Sequence, residues 1–287
     1  NVKQPLVSVI CHTFNHDRFI ENALNAFLMQ ITKFPFEIII HDDASTDDTA
    51  NIVRRYAEKY PKIIRAIFQD ENIFKKGLRP QMFSFPAASG KYIALCEGDD
   101  FWLDPNKLAL QVMFLEANTD YSICYTDSVA FEEDRITDLD FGGARRDLAE
   151  EELMKAPAIF TLTSCFRNVL DVPPELACVK YGDLFIWSRL GRFGKGKFLD
   201  SIEPSMYRVH RGGMHSVAES VERYKMKIQT YMAMSSYYQR IGDVSLGEYF
   251  LQQALPPLLL VNEISPRLLS LMVNVTKLYR FLKSLVV

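Results

Sequence analysis

No apolar run in the sequence is long enough to cross a bilayer: the longest near the end, Leu255–Val261, is short and holds two prolines, where a spanning helix needs ~20 apolar residues. Positive charge is not in excess either, since 33 Lys and Arg face 36 Asp and Glu for a net charge of −3. No global field draws the chain onto nucleic acid, and an anionic ligand has to be held by local groups. Cysteines are few and odd in number: Cys11, Cys96, Cys124, Cys165 and Cys178 are scattered without a C-x-x-C pair. That excludes a disulfide framework or a paired-cysteine zinc site and predicts reduced thiols in a cytosolic setting. The chain begins at Asn1 and continues without a charged-then-apolar pattern, so a trimmed start stays open and no secretory signal is visible. Also missing are a G-x-G-x-x-G turn after the first apolar run and a G-x-S-x-G elbow. Dinucleotide oxidoreductases and elbow-type hydrolases thereby lose the groups their chemistry requires. There is no repeat of fixed period and no low-complexity segment.

What is present is a globular composition, 48% hydrophobic and 12% aromatic over 287 residues, enough to bury a full core in one large domain with an appendage. Through the first half, short apolar runs alternate with helical periodicity, the pattern of a mainly parallel sheet covered on both faces. Val7–Cys11, Phe36–Ile40, Ile63–Phe68, Tyr92–Cys96 and Tyr121–Tyr125 read as strands. Between the first two, Phe19, Ile20, Ala23, Leu24, Phe27 and Leu28 recur at helical spacing. Thr46–Thr49 supplies capping residues for a helix running to about Tyr60, and Pro105 opens another with Leu108, Val112 and Leu115 on one face. From Glu219 the pattern becomes helical throughout, interrupted at Gly242 and at Pro256-Pro257. The expected organisation is therefore an α/β domain over 1–218 and a C-terminal helical extension over 219–287. Ser265-Pro266 should start a last helix with Leu268, Leu271, Met272, Val275, Leu278, Leu282 and Leu285 as its apolar stripe and Arg267, Lys277, Arg280 and Lys283 off it. Asn274-Val-Thr276 fits a glycosylation acceptor, a pattern without meaning in a cytosolic protein.

In open α/β sheets ligands bind beyond the carboxyl ends of the strands, and here those ends are acidic. The second strand runs into His41-Asp-Asp-Ala-Ser-Thr-Asp47 and the fourth into Glu97-Gly-Asp-Asp-Phe-Trp102. A single such loop reads most simply as turn and cap chemistry. Two at equivalent strand ends would repel each other, which a divalent ion with a bound diphosphate would relieve; hard oxygen ligands suit Mg²⁺ or Mn²⁺. Gly191–Lys197 has the spacing of a phosphate loop, but Phe198 stands where Ser or Thr is needed and a helix-like run precedes it. His12, His16 and His41 lack zinc-type spacing and read as loop or pocket-wall residues. Trp102 and Trp187 read as core.

The first half resembles the family 2 glycosyltransferases, enzymes of the GT-A fold. Asp42-Asp-Ala-Ser-Thr-Asp47 is similar to the family's Asp-Asp-Gly-Ser-x-Asp nucleotide segment, and Thr13-Phe-Asn15 to its Thr-Tyr-Asn loop. Glu97-Gly-Asp-Asp100 resembles the Asp-x-Asp metal motif, with Glu97 in place of the first Asp. Tyr181-Gly-Asp-Leu-Phe-Ile-Trp187 resembles the segment whose Asp deprotonates the acceptor, and Tyr207-Arg-Val-His-Arg-Gly-Gly213 the Tyr-Arg-x-His segment that closes over the diphosphate. The resemblance covers about residues 5–216.

It implies a Rossmann-like α/β fold and an inverting transfer of sugar from a nucleotide diphosphate, with UDP favoured, to a hydroxyl. By the same analogy, Asp183 is the base. Thr13, Phe14, Asn15, Asp42 or Asp43, and Asp99 hold the nucleotide. Arg208 and His210, with Arg211 beyond them, face the diphosphate, and Asp99, Glu97 and Asp100 hold Mn²⁺ or Mg²⁺. The bland counterparts are a plain helix N-cap for Asp183 and a solvated basic loop for Arg208 and His210. The implied partners are the nucleotide-sugar donor and a glycan acceptor, lipid-linked in one version, with no nucleic acid and with oligomerisation left open. The implied setting is bacterial surface polysaccharide assembly in the cytoplasm, where the last helix could lie on the inner membrane face. Two rivals share the features: a non-catalytic nucleotide-sugar or carbohydrate-binding module, and a sugar-1-phosphate nucleotidyltransferase.

Overall fold

The computed structural model describes residues 4–133, 135–210 and 220–264. These fall into two compact units, one of residues up to Ala177 together with Gly182 to 210, the other of Cys178–Tyr181 with 220 onward.

In the first unit β1 (Val7–Thr13), β2 (Phe36–Asp42), β3 (Ile64–Phe68), β4 (Tyr92–Leu95) and β5 (Tyr121–Tyr125) form where the apolar runs stand. Between them lie α1 (Ile20–Leu28), α2 (Thr49–Lys59), α3 (Gln81–Ala87) and α4 (Lys107–Ala117). The chain continues through β6 (Ser128–Glu132), β7 (Arg135–Ile136), α5 (Glu150–Met154), β8 (Cys165–Arg167), α6 (Gly182–Leu190), β9 (Lys195–Phe198) and β10 (Ser205–Arg208). The main sheet has the order β3-β2-β1-β4-β8-β5-β9. Its pairs are parallel except those of β8, which runs antiparallel to both β4 and β5. A second sheet, β10-β6-β7, stands beside it.

Strand residues alternate between the two faces. Val7, Val9, Cys11, Ile38 and Ile40 pack with Leu24, Phe27, Ile52, Leu108 and Trp102 from the α1, α2 and α4 side. Ile10, Ile39, Leu95 and Ile123 pack with Phe85, Leu153, Trp187 and Leu190 from the α3, α5 and α6 side. Both faces are thus covered, the reason these strands read as unbroken apolar runs. Each tryptophan is core and has its indole satisfied: Trp102 Nε1 donates to the Leu162 carbonyl at 2.7 Å and Trp187 Nε1 to that of Ile159 at 3.0 Å. Four cysteines share one face across adjacent strands, Cys11 on β1, Cys96 just after β4, Cys165 on β8 and Cys124 on β5, with Cys165 directly opposite Cys124. All four are buried free thiols, and Cys178 is an exposed one.

Some local expectations shift. The helix after Pro105 begins at Lys107, because the Asp104 carboxylate accepts from Asn106 N at 2.8 Å and holds an entering turn. The glycine- and lysine-rich run is no phosphate loop, since β9 occupies its second half. Gly194 there approaches the Asp120 carbonyl so closely that a Cβ would stand 2.6 Å from it, at a φ of +148°.

The second unit contains α7 (Ser220–Arg240), α8 (Val244–Gln253) and α9 (Leu255–Ile264). Gly242 supplies a left-handed residue (φ +85°) between the first two, and the Asp243 carboxylate caps α8 through Leu246 N. Pro256 and Pro257 lie in the first turn of α9, where a missing N–H leaves no bond unmade. Thr230 Oγ1 accepts from the backbone N–H groups of Lys180 and Tyr181, which ties 178–181 to this unit. The stripe expected from Ser265 onward, Asn274 and Arg211 lie outside the described residues. Among the described residues no helix is long and apolar enough to cross a membrane.

Candidate active site

The chain leaves β1 for β2 and β3 on one side and returns to β4 on the other, so a crevice opens beyond the carboxyl ends of β1 and β4. The β1–β2 register sets Thr13 beside Asp42. Asn15, in the left-handed region at φ 55°, donates its N–H to Ser45 Oγ at 2.9 Å and accepts from Thr46 N on its Oδ1 at 2.8 Å. Asp42 accepts from Ser45 N at 3.1 Å and Ser45 Oγ at 2.5 Å. Asp43 accepts from Ile73 N at 2.7 Å and Phe74 N at 3.2 Å, fastening the loop after β3. Ala44 has φ 59°, the conformation for which the resembled segment carries glycine. Phe14 is half-buried on the same turn, and Thr13 Oγ1 is buried with no hydrogen-bond partner.

The loop after β4 comes up against β1. Gly98 N donates to the His12 carbonyl at 2.9 Å, and a Cβ on Gly98 would stand 2.7 Å from Thr13 Oγ1, so only glycine allows this approach. The three acids of the loop then diverge in role. Asp99 Oδ2 lies 3.0 Å from His210 Nε2 and 3.7 Å from His16 Nε2. Burial alone would raise the Asp99 carboxyl, but the His210 hydrogen bond and the nearby imidazoles outweigh it and hold the group below the ordinary carboxylate range. Asp100 accepts from Arg208 N at 2.7 Å, which locks β10 to the loop; burial and then the Asp99 charge push its carboxyl well up. Glu97 accepts from Thr161 Oγ1 at 2.6 Å. Burial pushes it up to about 7, the threonine opposes this, and the charges of Asp99 and Asp183 add to the rise.

Arg208 is no solvated loop residue. Its Nε donates to the Asp99 carbonyl at 2.8 Å, and its guanidinium lies over Phe131 at 4.4 Å and Phe19 at 4.5 Å. Asp183 sits within the first turn of α6, since the helix already includes Gly182, so it is not an N-cap. Burial pushes its carboxyl up to about 6. Its charge is felt at Glu97, which puts α6 and the β4 loop in one electrostatic neighbourhood.

Among the described residues, His16, Asp99 and His210 are the cluster whose donor atoms could hold a metal, all within 4.8 Å of one another. Two ligands at about 2.1 Å from one ion stand no more than about 4.2 Å apart, a limit that both Asp99–imidazole distances meet. His16 is held neutral by burial, lowered despite the Asp99 charge, so its nitrogen keeps a lone pair to offer. Glu97 and Asp100 do not join the cluster. By sequence His16 reads as a loop or pocket-wall residue; the signal for more is its place three residues after Thr13, in the turn that faces the β4 loop. The sequence gives no hint of Thr161, whose hydroxyl matters only once the short 3₁₀ turn Thr161–Thr163 is folded against Glu97.

A model of glycosyl transferase family 2 matches residues 8–169. An uncharacterized protein of Mycobacterium tuberculosis is 38% identical over 164 residues, 56% of this chain and 47% of that protein. WfaP of Escherichia coli, a UDP-Glc:α-D-GlcNAc-diphosphoundecaprenol β-1,3-glucosyltransferase, is 33% identical over 111 residues, 39% of this chain and 41% of its own length. The chain spans about half the length of the first curated relatives it matches. Among solved structures, a mannosyltransferase from Pyrobaculum calidifontis in complex with GDP-Man and Mn²⁺ superposes with a TM-score of 0.55 at 18% identity, over 93% of this chain and 81% of that one, a likeness of fold. The family match covers more than half of the chain, and it takes in β1, β2, β4 and the acidic loops that follow them: the chain belongs to glycosyl transferase family 2 and has its GT-A fold.

Proposed function

We propose that the chain transfers a sugar from a nucleotide diphosphate, a UDP-sugar in first place, to a hydroxyl acceptor with inversion and with the help of a divalent ion. The observation that carries this is the His16–Asp99–His210 cluster beyond β1 and β4, with the buried Asp183 near enough for its charge to bear on Glu97 of the same loop. Two imidazoles and a carboxylate suit a transition-metal dication such as Mn²⁺ better than Mg²⁺, which prefers oxygen octahedra. When bound, the ion would offset the charge of the diphosphate as it leaves.

The chain's own residues supply the rest. Asp183 takes the proton of the acceptor hydroxyl as that oxygen bonds to the anomeric carbon; the bond from that carbon to the phosphate oxygen breaks, and its electron pair leaves with the nucleoside diphosphate. A single displacement from the opposite face inverts the configuration, as in inverting glycosidases. Arg208, fixed between two rings, places positive charge beside the Asp99 loop without mobility to lose. Thr13, Phe14, Asn15 and Asp42 or Asp43 form the nucleotide end. WfaP is named for a diphosphoundecaprenol-linked acceptor, which favours a lipid-linked glycan and a surface-polysaccharide setting for this chain too. A cytoplasmic location, with the segment from Ser265 on the inner membrane face, belongs to the same proposal; unchanged liposome co-sedimentation after deleting Ser265 onward would remove the membrane part.

The test is thermal denaturation with UDP, GDP, CDP and dTDP, each with and without Mn²⁺, followed by product analysis with nucleotide sugars. A ligand at 100 times its Kd adds about 2.7 kcal/mol. Metal-dependent stabilisation by one nucleotide with release of that nucleoside diphosphate is expected. Stabilisation without turnover would favour the binding module, and pyrophosphate release from a nucleoside triphosphate would favour the nucleotidyltransferase.

A further inference from the structure

Gln81 opens α3, and its amide lies against Gly182, the residue before Asp183: a Cβ at position 182 would stand 3.0 Å from Gln81 Nε2 and 3.7 Å from Oε1. Gly182 is buried, so the glycine leaves the amide room beside the first turn of α6. Gln81 Oε1 is itself buried with no hydrogen-bond partner. A buried acceptor left unmade is costly. The helix that carries it is firmly set. Ser84 Oγ meets His12 Nε2 at 2.9 Å, Phe85 is in the core, and the loop leading into α3 is fastened by Asp43 through Ile73 and Phe74. Gln81 therefore stands on a fixed element between the nucleotide segment and the candidate base.

We propose that Gln81 is a specificity-determining residue for the donor sugar, its amide oxygen accepting from a sugar hydroxyl next to Asp183. The inference rests on the transferase reading above. Within it the geometry is constrained, because the base must reach the hydroxyl that attacks the anomeric carbon, so a group beside the base lies within reach of the ring that carries that carbon. A polar group built to bond one hydroxyl rejects a sugar that lacks it, since the buried acceptor is then left empty.

The experiment compares the full chain with Gln81→Leu and Gln81→Glu, in Mn²⁺, for affinity towards UDP and GDP and towards UDP-glucose, UDP-galactose, UDP-N-acetylglucosamine and GDP-mannose, with kcat and KM for whichever donor is turned over. Gln81→Leu should bind the bare nucleotide within about twofold of the parent while losing about tenfold for the preferred nucleotide sugar. The loss should appear in donor KM and in the ratio between sugars, and Gln81→Glu, which keeps an acceptor oxygen, should recover part of it. Equal loss for nucleotide and nucleotide sugar would assign Gln81 to structure only and overturn the proposal, as would a change confined to acceptor KM or an unchanged ratio between sugars. If Gln81→Leu does not fold, Gln81→Asn, which keeps the amide but shortens its reach, must show the same selective loss for the assignment to stand. A parent chain that binds none of the nucleotides overturns the transferase reading itself, a result distinct from all of these.

Discussion

Aspartates crowd both sides of the crevice, but they are used differently on each. On the β2 side Asp42, Asp43 and Asp47 spend their oxygens on backbone and hydroxyl donors, Asp42 within its own loop, Asp43 on the loop after β3, and Asp47 on its own loop and the turn after β1. On the β4 and α6 side Asp99 faces two imidazoles, while Glu97 and Asp183 are raised to about 7 and about 6 by burial. Carboxylates tie loops together in one place and stand beside imidazoles or in desolvated ground in the other. The difference lies in how far hydrogen-bond donors offset the burial of each carboxylate.

Four substitutions or conditions test that division, in falling order of expected effect. Asp183→Asn should cut transfer by roughly 10²–10⁴-fold, the typical share of a general base, with nucleotide affinity retained; transfer at the parental rate would remove Asp183 from the chemistry. Asp99→Ala should erase Mn²⁺-dependent stabilisation by nucleotide, about 2.7 kcal/mol at 100 times the Kd, and unchanged stabilisation would remove Asp99 from the metal site. Asp43→Ala belongs to the β2 side: it strips the partners from two backbone N–H groups and should cost about 2 kcal/mol in a denaturant melt, whereas a neutral result would mean that the loop after β3 holds without it. Last comes pH. Asp183 keeps its proton up to about 6, so the base form grows as pH rises through that value and is lost as pH falls. From pH 7 to pH 5 kcat/KM should fall about tenfold. A flat profile across that range contradicts the assignment.

The contrast also explains what could be read without coordinates. The five central strands stand within a residue or two of their apolar runs, because burial on both faces writes itself directly into composition. Cys165–Arg167 could not be seen as β8: three residues carry no periodicity, and their role is fixed by neighbours β4 and β5. β9 hides in a glycine-rich run for the same reason. In the site, motif order made Asp99 and Asp183 candidates, but the roles of Glu97 and Asp100 depend on Thr161 and Arg208, which are remote in the chain. His16 and His210 are nearly the whole domain apart in sequence, and only the return of the chain through β10 brings both to Asp99. Capping and core burial are local; a donor cluster is made by topology.

The row of cysteines across β1, β4, β8 and β5 bears on how the protein comes apart. Burial pushes the thiols of Cys11, Cys96 and Cys124 well up, so in the native sheet they are poor nucleophiles. Unfolding returns them to water and to ordinary acidity at once, with Cys124 and Cys165 no longer held opposite each other by strand register. In air, random pairing then competes with refolding, and loss of the fold becomes one-way, its apparent midpoint set by heating rate. With a reductant present the same chain can return. For this sheet, reversibility is a property of the medium as much as of the sequence.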